Sequence, residues 1–503
     1  MNKSESSAVP EPQESAATAD LIQSPLDAPS PDGKSLVQAE AEAPTVSLQA
    51  TTAQRMVAAA HPVGDLLEHP AEATMAPPVR PRHQYPHIPH PRLRPVHMPT
   101  VVRTFDSFRH TNYRFLWAST FFFSAGYWLQ MIIVGWLTYQ LTQSALLTSV
   151  VMGLDALPIL LAGPLGGVIV DAWDKRKLMT VVLIYQSLLS LAFGVSVLAG
   201  VTQVWHIFAF VFLMGLSWII TDPARMALIP SMVPRQNLVN AFALNSLAFS
   251  VTRLAAPAIG GAILAIAGAG PALLVEAVLL AAAGAVILGL RLEPKSKSKM
   301  NIRSAIDDVM AGVRYIRSEK LVLTLLLFGL VPSVMVMPFF HGLIPVYAAE
   351  VFNVGPVTLG LLMASAGAGS VMGTLALASL GDMRRKGRVI LGCVALASLA
   401  MVAMAFNPSL SLAYPILMVG SIGLMGYYST AQATIQSILP DKIRGRVSGI
   451  YIMTFGLMPV GSLAAGLIAE SMGAPTATFL SAIAVAVLTI IMATGFRELW
   501  RLK

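Results

Sequence analysis

From Asn112 onward the chain alternates between long apolar runs and short polar gaps. Twelve runs are read, at 115–139, 146–170, 177–199, 204–222, 238–266, 271–290, 320–340, 357–380, 388–406, 411–432, 446–469 and 475–496. Each comes close to the ~20 residues that cross a hydrocarbon core. Backbone polar groups must be satisfied internally in lipid, so each run predicts a helix. The fifth is long enough to project beyond the bilayer. The gaps fall into two classes. Every second one is basic: Lys175-Arg176-Lys177, then Arg225 and Arg235, then the cluster from Arg291 to Lys320, then Arg384-Arg385-Lys386 with Arg388, then Lys442, Arg444 and Arg446, and last Arg497, Arg501 and Lys503. The gaps around Gln140, Thr202, Gly268, Tyr347, Pro408 and Gly473 carry neither Lys nor Arg. The positive-inside rule puts the basic gaps in the cytoplasm, and both chain ends with them. One cation, Arg253, is left inside an apolar run.

Residues 1–104 follow a different regime. Pro, Ala, Ser, Gln and Glu dominate up to Ala76 without apolar periodicity. Such a segment buries too little surface to offset its ordering entropy, so a disordered cytoplasmic tail is expected. Its last part, 77–103, is rich in Pro, Arg and His, with His83, His87, His90 and His97. So many prolines give no fixed coordination geometry. The tract reads as a basic arm on anionic headgroups rather than a metal site.

The longest internal loop, Leu292 to Glu319, separates the sixth and seventh runs. Ile302, Ile306, Val309, Met310, Val313 and Ile316 form one stripe at helical spacing, predicting an amphipathic helix on the inner membrane surface. The halves on either side look related. Ser231 and Pro234 match Ser437 and Pro440 after the fourth run of each half, and Gly260 and Gly466 follow at the same distance. Two six-helix repeats around a central loop signify a secondary transporter fold. The expected fold class is therefore an all-α membrane protein of twelve transmembrane helices. The expected units are the 1–104 tail, a 112–292 bundle, a 293–318 linker and a 319–498 bundle.

Composition agrees. The chain is 55% hydrophobic and 12% charged, with mean hydropathy +0.67, where soluble domains carry about 25% charge. The net charge of +8 flanks the spans, so it points to anionic lipid rather than to nucleic acid. The lone Cys393 excludes an intrachain disulfide. No apolar h-region lies near Met1, so no cleaved signal peptide is expected.

Several stretches resemble the major facilitator superfamily. Gly167-Val-Ile-Val-Asp171-Ala-Trp-Asp174-Lys-Arg176-Lys177 is similar to its loop two-three motif, with Asp174 where a small residue is usual. Gly135-Trp-Leu-Thr-Tyr139, Asp222-Pro-Ala-Arg225, Pro234-Arg-Gln-Asn237, Gly312-Val-Arg314-Tyr315, Pro345-Val-Tyr347 and Arg444-Gly445-Arg446 look like the bacterial transmembrane secretion effector branch. That branch includes the enterobactin exporter and macrolide efflux permeases. The resemblance covers about 105–497 and implies a cytoplasmic gate at Gly167, Asp171, Asp174, Arg176, Asp222, Arg225, Asp382, Arg384, Arg385 and Arg446. Pro257, Gly260 and Gly261 resemble the core of the superfamily's antiporter motif, with Ala256 where a glycine is usual. Pro257 removes a helix hydrogen bond and the glycines permit close helix approach.

Intramembrane ionisable groups are candidates for coupling. Asp155 is read at about 14 Å from the outer end of run two and Arg253 at about 22 Å from the inner end of run five. In a core about 30 Å thick these depths are comparable, predicting an ion pair whose protonation shifts the gate. A static structural pair remains open, as does a solvated Asp155. Glu276 is the second candidate, expected to snorkel to the outer interface. His341 and Glu350 are expected in a solvated outer loop. The resemblance implies a substrate path lined by Tyr127, Trp128, Gln130, Ser217, Trp218, Met335, Tyr427 and Tyr428, suited to an amphipathic molecule.

The sequence thus predicts a proton-coupled exporter of a small amphipathic molecule in the bacterial inner membrane, monomeric and needing no cofactor. A nutrient-uptake symporter and a non-transporting sensor or scaffold are the alternatives. No P-loop, His-Glu-x-x-His or Gly-x-Ser-x-Gly motif occurs, so ATP-driven transport and intramembrane hydrolysis are not expected.

Overall fold

The computed structural model describes residues 105–291, 302–380 and 385–495. The expected 1–104 tail, the first part of the linker, the turn with Asp382 and Arg384, and residues 496–503 lie outside the described residues. All regular structure among the described residues is helical. Twelve helices are long and apolar enough to cross a membrane: spans one to six at Thr111–Thr142, Ala145–Ala172, Lys175–Leu198, Val204–Met232, Arg235–Ala267 and Ala269–Ile287, and spans seven to twelve at Lys320–Val351, Pro356–Leu377, Lys386–Ala405, Leu410–Ile438, Ile443–Met472 and Ala474–Gly495. The linker helix is Ile302–Ser318. The membrane face carrying it is called the linker side below, and the other the far side.

Spans four and seven run farthest past their apolar windows. Span four continues from Asp222 to Met232 through Pro223 and Pro230, which places Arg225 inside a helix instead of in a gap. Span seven continues to Val351, so His341 is buried and not in a solvated loop. Pro332, Pro338 and Pro345 each remove a backbone donor there, and the helix answers with three wide turns at Pro332–Val336, Phe339–Leu343 and Tyr347–Val351. Span two is broken at Asp155-Ala156, between Ala145–Leu154 and Leu157–Ala172. Pro158 has no N–H to offer the Leu154 carbonyl, four residues back.

The halves meet along two seams. Where span five lies on span eight, a Cβ on Gly261 would fall 2.4 Å from the Pro356 carbonyl oxygen, and one on Gly360 2.4 Å from that of Pro257. Where span two lies on span eleven, a Cβ on Gly153 would come within 2.8 Å of the Ser462 Cβ, and one on Gly466 within 3.0 Å of the Leu146 Cα. Ser149 adds a 2.9 Å hydrogen bond to the Ser462 carbonyl. Pro356 and Leu146 lie at the far-side starts of their spans, so the tight approach seals the far side.

The linker helix does not lie free on the membrane surface. Gly312 packs on Arg446 and Ile450 of span eleven, Ile316 is buried, and Asp308 pairs with Arg446 at 2.8 Å. It also touches the linker-side half of span two. Met310, placed by periodicity on the same stripe, stays exposed.

Candidate functional site

The break in span two delivers Asp155 to the space between the halves. Its backbone carbonyl packs so tightly on span four that a Cβ on Gly215 would lie 2.4 Å away. The Tyr127 hydroxyl of span one donates to the Asp155 carboxylate over 3.4 Å. Tyr127 is packed edge-on against Trp128 and Trp218. Arg253, from span five, lies over the Trp128 ring at 4.9 Å, and its Nη1 reaches the Met425 sulfur of span ten at 3.3 Å. The structure therefore brings Asp155 and Arg253 to one site without the direct ion pair expected from their depths. Tyr127 takes the carboxylate, while the indole face and thioether hold the guanidinium. A cation over a desolvated aromatic face is stabilised by about 2 kcal/mol, which partly replaces the missing countercharge.

A second aromatic wall comes from the other half. Tyr428 stacks on Phe455 at 4.8 Å and reaches the Ser333 hydroxyl at 3.4 Å. A small cavity of about 20 Å³ lies between the halves, lined by Trp128, Arg253, Pro257, Phe340, His341 and Met363 among others. The Trp128 indole N–H is buried without a partner. Trp218 and Met335 are half-buried, Gln130 is buried, and Tyr427 packs against Phe328 with its hydroxyl unpartnered. Ser217 does not line this space. It is buried in the packing of spans three and four, where it accepts from Gln186 and donates to the Met214 carbonyl.

Glu276 does not snorkel. It is fully buried inside the first bundle, with both carboxylate oxygens unpartnered. Gly126 of span one stands beside it, and the nearby Ser190 hydroxyl donates to the Leu273 carbonyl instead. Helix rotation set this outcome: Glu276 follows the buried positions Ala272 and Leu273 by one turn.

Among the expected gate residues, Asp174 caps span three by accepting from the Lys177 amide at 3.0 Å. Arg176 donates to the Leu288 carbonyl at the end of span six. Asp171 is exposed and makes no hydrogen bond or ion pair among the described residues. Gly167 faces open space, and the close approach falls on Gly166, where a Cβ would collide with the Ile219 carbonyl. Arg225 is fully buried between the Phe123 and Phe249 rings, at 4.6 and 4.9 Å, and pairs with the half-exposed Asp222 at 3.4 Å. Arg385 is exposed at the start of span nine. Asp382 and Arg384 lie outside the described residues.

One contact escaped sequence reasoning altogether. Glu470 of span eleven accepts from the Ser144 hydroxyl and the Leu146 amide of span two, each at 3.0 Å. It satisfies a helix N-terminus of the opposite half. Glu350 and Tyr139 lie beside it. The available signal was a carboxylate two residues from the end of an apolar span.

No group of three or more His, Cys, Asp or Glu suited to a metal ion occurs among the described residues. Among the described residues the geometry gathers aromatic rings from both halves, a carboxylate at a helix break, a cation without an ion-pair partner, and glycine seams where the halves touch.

The family described as transmembrane secretion effector matches residues 102–498. The chain is similar to macrolide efflux protein A of Streptococcus pyogenes, at 25% identity over 69% of this chain and 86% of that protein. It is similar to the multidrug efflux pump Tap of Mycolicibacterium fortuitum, at 26% identity over 71% and 88% of the two chains. Similarity to the Staphylococcus aureus staphyloferrin A transporter is 24% over 72% and 90%. In fold it resembles the nucleoside transporter NupG, with TM-score 0.61 at 14% identity over 77% and 99% of the two chains. It also resembles a bacterial homolog of the human lysosomal transporter Spinster in an inward-facing, unoccupied conformation, with TM-score 0.59 at 14% identity over 78% and 97%. This chain is thus a multi-pass membrane transporter, not an enzyme, and it belongs to the transmembrane secretion effector family of the major facilitator superfamily.

Proposed function

We propose that this protein is a proton-coupled exporter of amphipathic small molecules in the bacterial inner membrane, working as a monomer with its linker side in the cytoplasm. The observation that carries the coupling is Asp155, placed at the break of span two and held by Tyr127 at the interface of the halves. A carboxylate that changes hydrogen bonding when protonated, sited where a helix can bend, biases a two-state rocking motion. Efflux as the direction is supported by the names of two relatives, a macrolide efflux protein and a multidrug efflux pump. Tyr127, Trp128, Trp218 and Tyr428 offer aromatic faces at the interface of the halves that suit an amphipathic solute, and the cavity of about 20 Å³ beside Trp128 must widen as the halves rock to admit one.

The conformation described is sealed on the far side. On the linker side Asp171 is exposed and unengaged among the described residues, while the linker helix packs on both span two and span eleven.

Two measurements test the reading. Proteoliposomes with an imposed proton gradient should drive a macrolide or carboxylate siderophore against its gradient, in the direction opposite to protons. Movement in the same direction would support the uptake reading and overturn this one. Orientation is tested in a Cys393→Ala background. Gly355→Cys should react with an impermeant maleimide from outside intact cells, and Ser318→Cys should react only after permeabilisation.

A further inference from the structure

A second cavity lies apart from the central one. It has a volume of about 770 Å³ and lies at the linker-side base of the first bundle. His110, Asn112 and Phe115 contribute from the start of span one, Arg176 from the start of span three, and Leu288 and Arg291 from the end of span six. No substrate path runs there in the proposed cycle, so the central cavity does not explain it.

Its chemistry is one-sided. Arg176, Arg291 and His110 are among the residues lining it, and no Asp or Glu is. Arg176 spends one N–H on the Leu288 carbonyl, which fixes the guanidinium at the rim and leaves its remaining N–H groups free of other bonds among the described residues. Asn112 clamps span one to span six by bonding the Arg291 backbone in both directions, at 2.8 and 3.1 Å. The walls are thus fixed relative to each other before any ligand arrives. The floor is apolar, with Phe115, Met232 and Leu290. Leu288 at the edge is 52% exposed. A cationic rim over an apolar floor at the level of the span ends matches a phosphate attached to an apolar tail.

We propose that this cavity binds the phosphate of an anionic amphiphile, and that the source is a membrane phospholipid headgroup. Arg176 and Arg291 receive the phosphate oxygens and Leu288 borders the glycerol and upper chain. Occupancy would tie spans one, three and six together at the base of the bundle.

The test is native mass spectrometry on the purified full chain, titrated separately with phosphatidylglycerol, phosphatidylcholine and soluble sn-glycerol 3-phosphate. Phosphatidylglycerol should be retained in preference to phosphatidylcholine. Each arginine near a charged headgroup is worth about 1 kcal/mol, so Arg291→Gln should weaken retention about fivefold and Arg176→Gln with Arg291→Gln more than tenfold. Arg291→Gln alone spares the backbone clamp, so its loss is not a folding defect. The control pair Arg235→Gln with Arg314→Gln removes the same charge elsewhere on the linker side and should change retention less than twofold. Equal loss in the control pair, or no preference for the anionic lipid, overturns the site. Binding of sn-glycerol 3-phosphate as tight as the lipid overturns the lipid as its source. None of these readouts depends on transport.

Discussion

The Tyr127 hydroxyl donates to the Asp155 carboxylate over 3.4 Å, and Arg253 lies beyond it on the Trp128 ring. Carboxylate and guanidinium therefore communicate through a phenol instead of through an ion pair. Removing the charge of Asp155 orphans no partner, so Asp155→Asn should keep the melting temperature within about 2 °C of wild type. It should abolish proton-driven accumulation and leave downhill exchange measurable. Tyr127→Phe, which removes only the donor, should slow driven transport about tenfold without abolishing it. Fluorescent pH and substrate traces in proteoliposomes give both readouts. Uphill transport by Asp155→Asn at the wild-type rate would move the coupling site elsewhere, with Glu276 the next residue to test.

The seam of spans five and eight predicts a conformational variant. Gly261 and Gly360 pack backbone on backbone, with Pro356 and Pro257 opposite them. Gly261→Ala cannot be accommodated by rotating a side chain, since the added methyl meets a carbonyl oxygen. The far-side seal should open, and cysteine at Met363, which is buried and lines the cavity between the halves, should react with impermeant maleimide at least about fivefold faster than in the unsubstituted seam, a population shift of about 1 kcal/mol. Gly392→Ala, which adds a methyl in open space away from the seam and the gate, is the internal control and should change nothing. Equal labelling rates in both variants would show that the seam tolerates the methyl.

Much of this architecture was legible because lipid imposes simple rules on sequence. Each span needs length and apolarity, and the linker-side cations mark every second gap. What misled was using apolarity to find helix ends. Asp222 and Arg225 are polar yet helical, since Arg225 lies between Phe123 and Phe249 and not in water. His341 is polar yet buried, because the wide turns of span seven carry the helix past three prolines. Sequence reading named Asp155, Arg253, Tyr127 and Trp128, which the fold gathers, but not their bonds, and it misplaced Ser217. Depth along a helix brought Asp155 near Arg253, but rotation about the helix axis decided that Tyr127 and Met425 would be their partners. The Glu470 contact joins residues 326 apart in sequence, and nothing local announces it.

That contact makes its own prediction. Glu470 ties the far-side start of span two to span eleven through two charge-assisted hydrogen bonds, each worth about 1.5–3 kcal/mol. Glu470→Ala should open the far side and Glu470→Gln, which keeps an acceptor, should open it less. Maleimide labelling of cysteine at Met363, buried against the cavity between the halves, should rank Ala above Gln above wild type. A merely local capping role would lower the melting temperature of both variants without changing that labelling order.

The two intramembrane arginines should behave in opposite ways. Arg225 has no exposure, its Nε and Nη2 lack partners, and its one ion pair, to a half-exposed Asp222, is 3.4 Å long. Two unpartnered buried donors cost about 1–3 kcal/mol each, before the desolvation of the charge itself. The two phenyl faces return at most about 2 kcal/mol each, so the balance in this conformation is unfavourable. Arg225→Met should therefore raise the melting temperature of the far-side-sealed protein, by an amount equivalent to about 1–4 kcal/mol, while slowing the transport cycle. Arg253 instead borders the central cavity, lies on Trp128, and is only half-buried. Arg253→Met should leave the melting temperature near wild type and abolish driven transport. Thermal denaturation and flux on both variants decide the matter. A fall in stability for Arg225→Met would mean that the cation holds this state together, and its place would then be structural, not that of a strained gate.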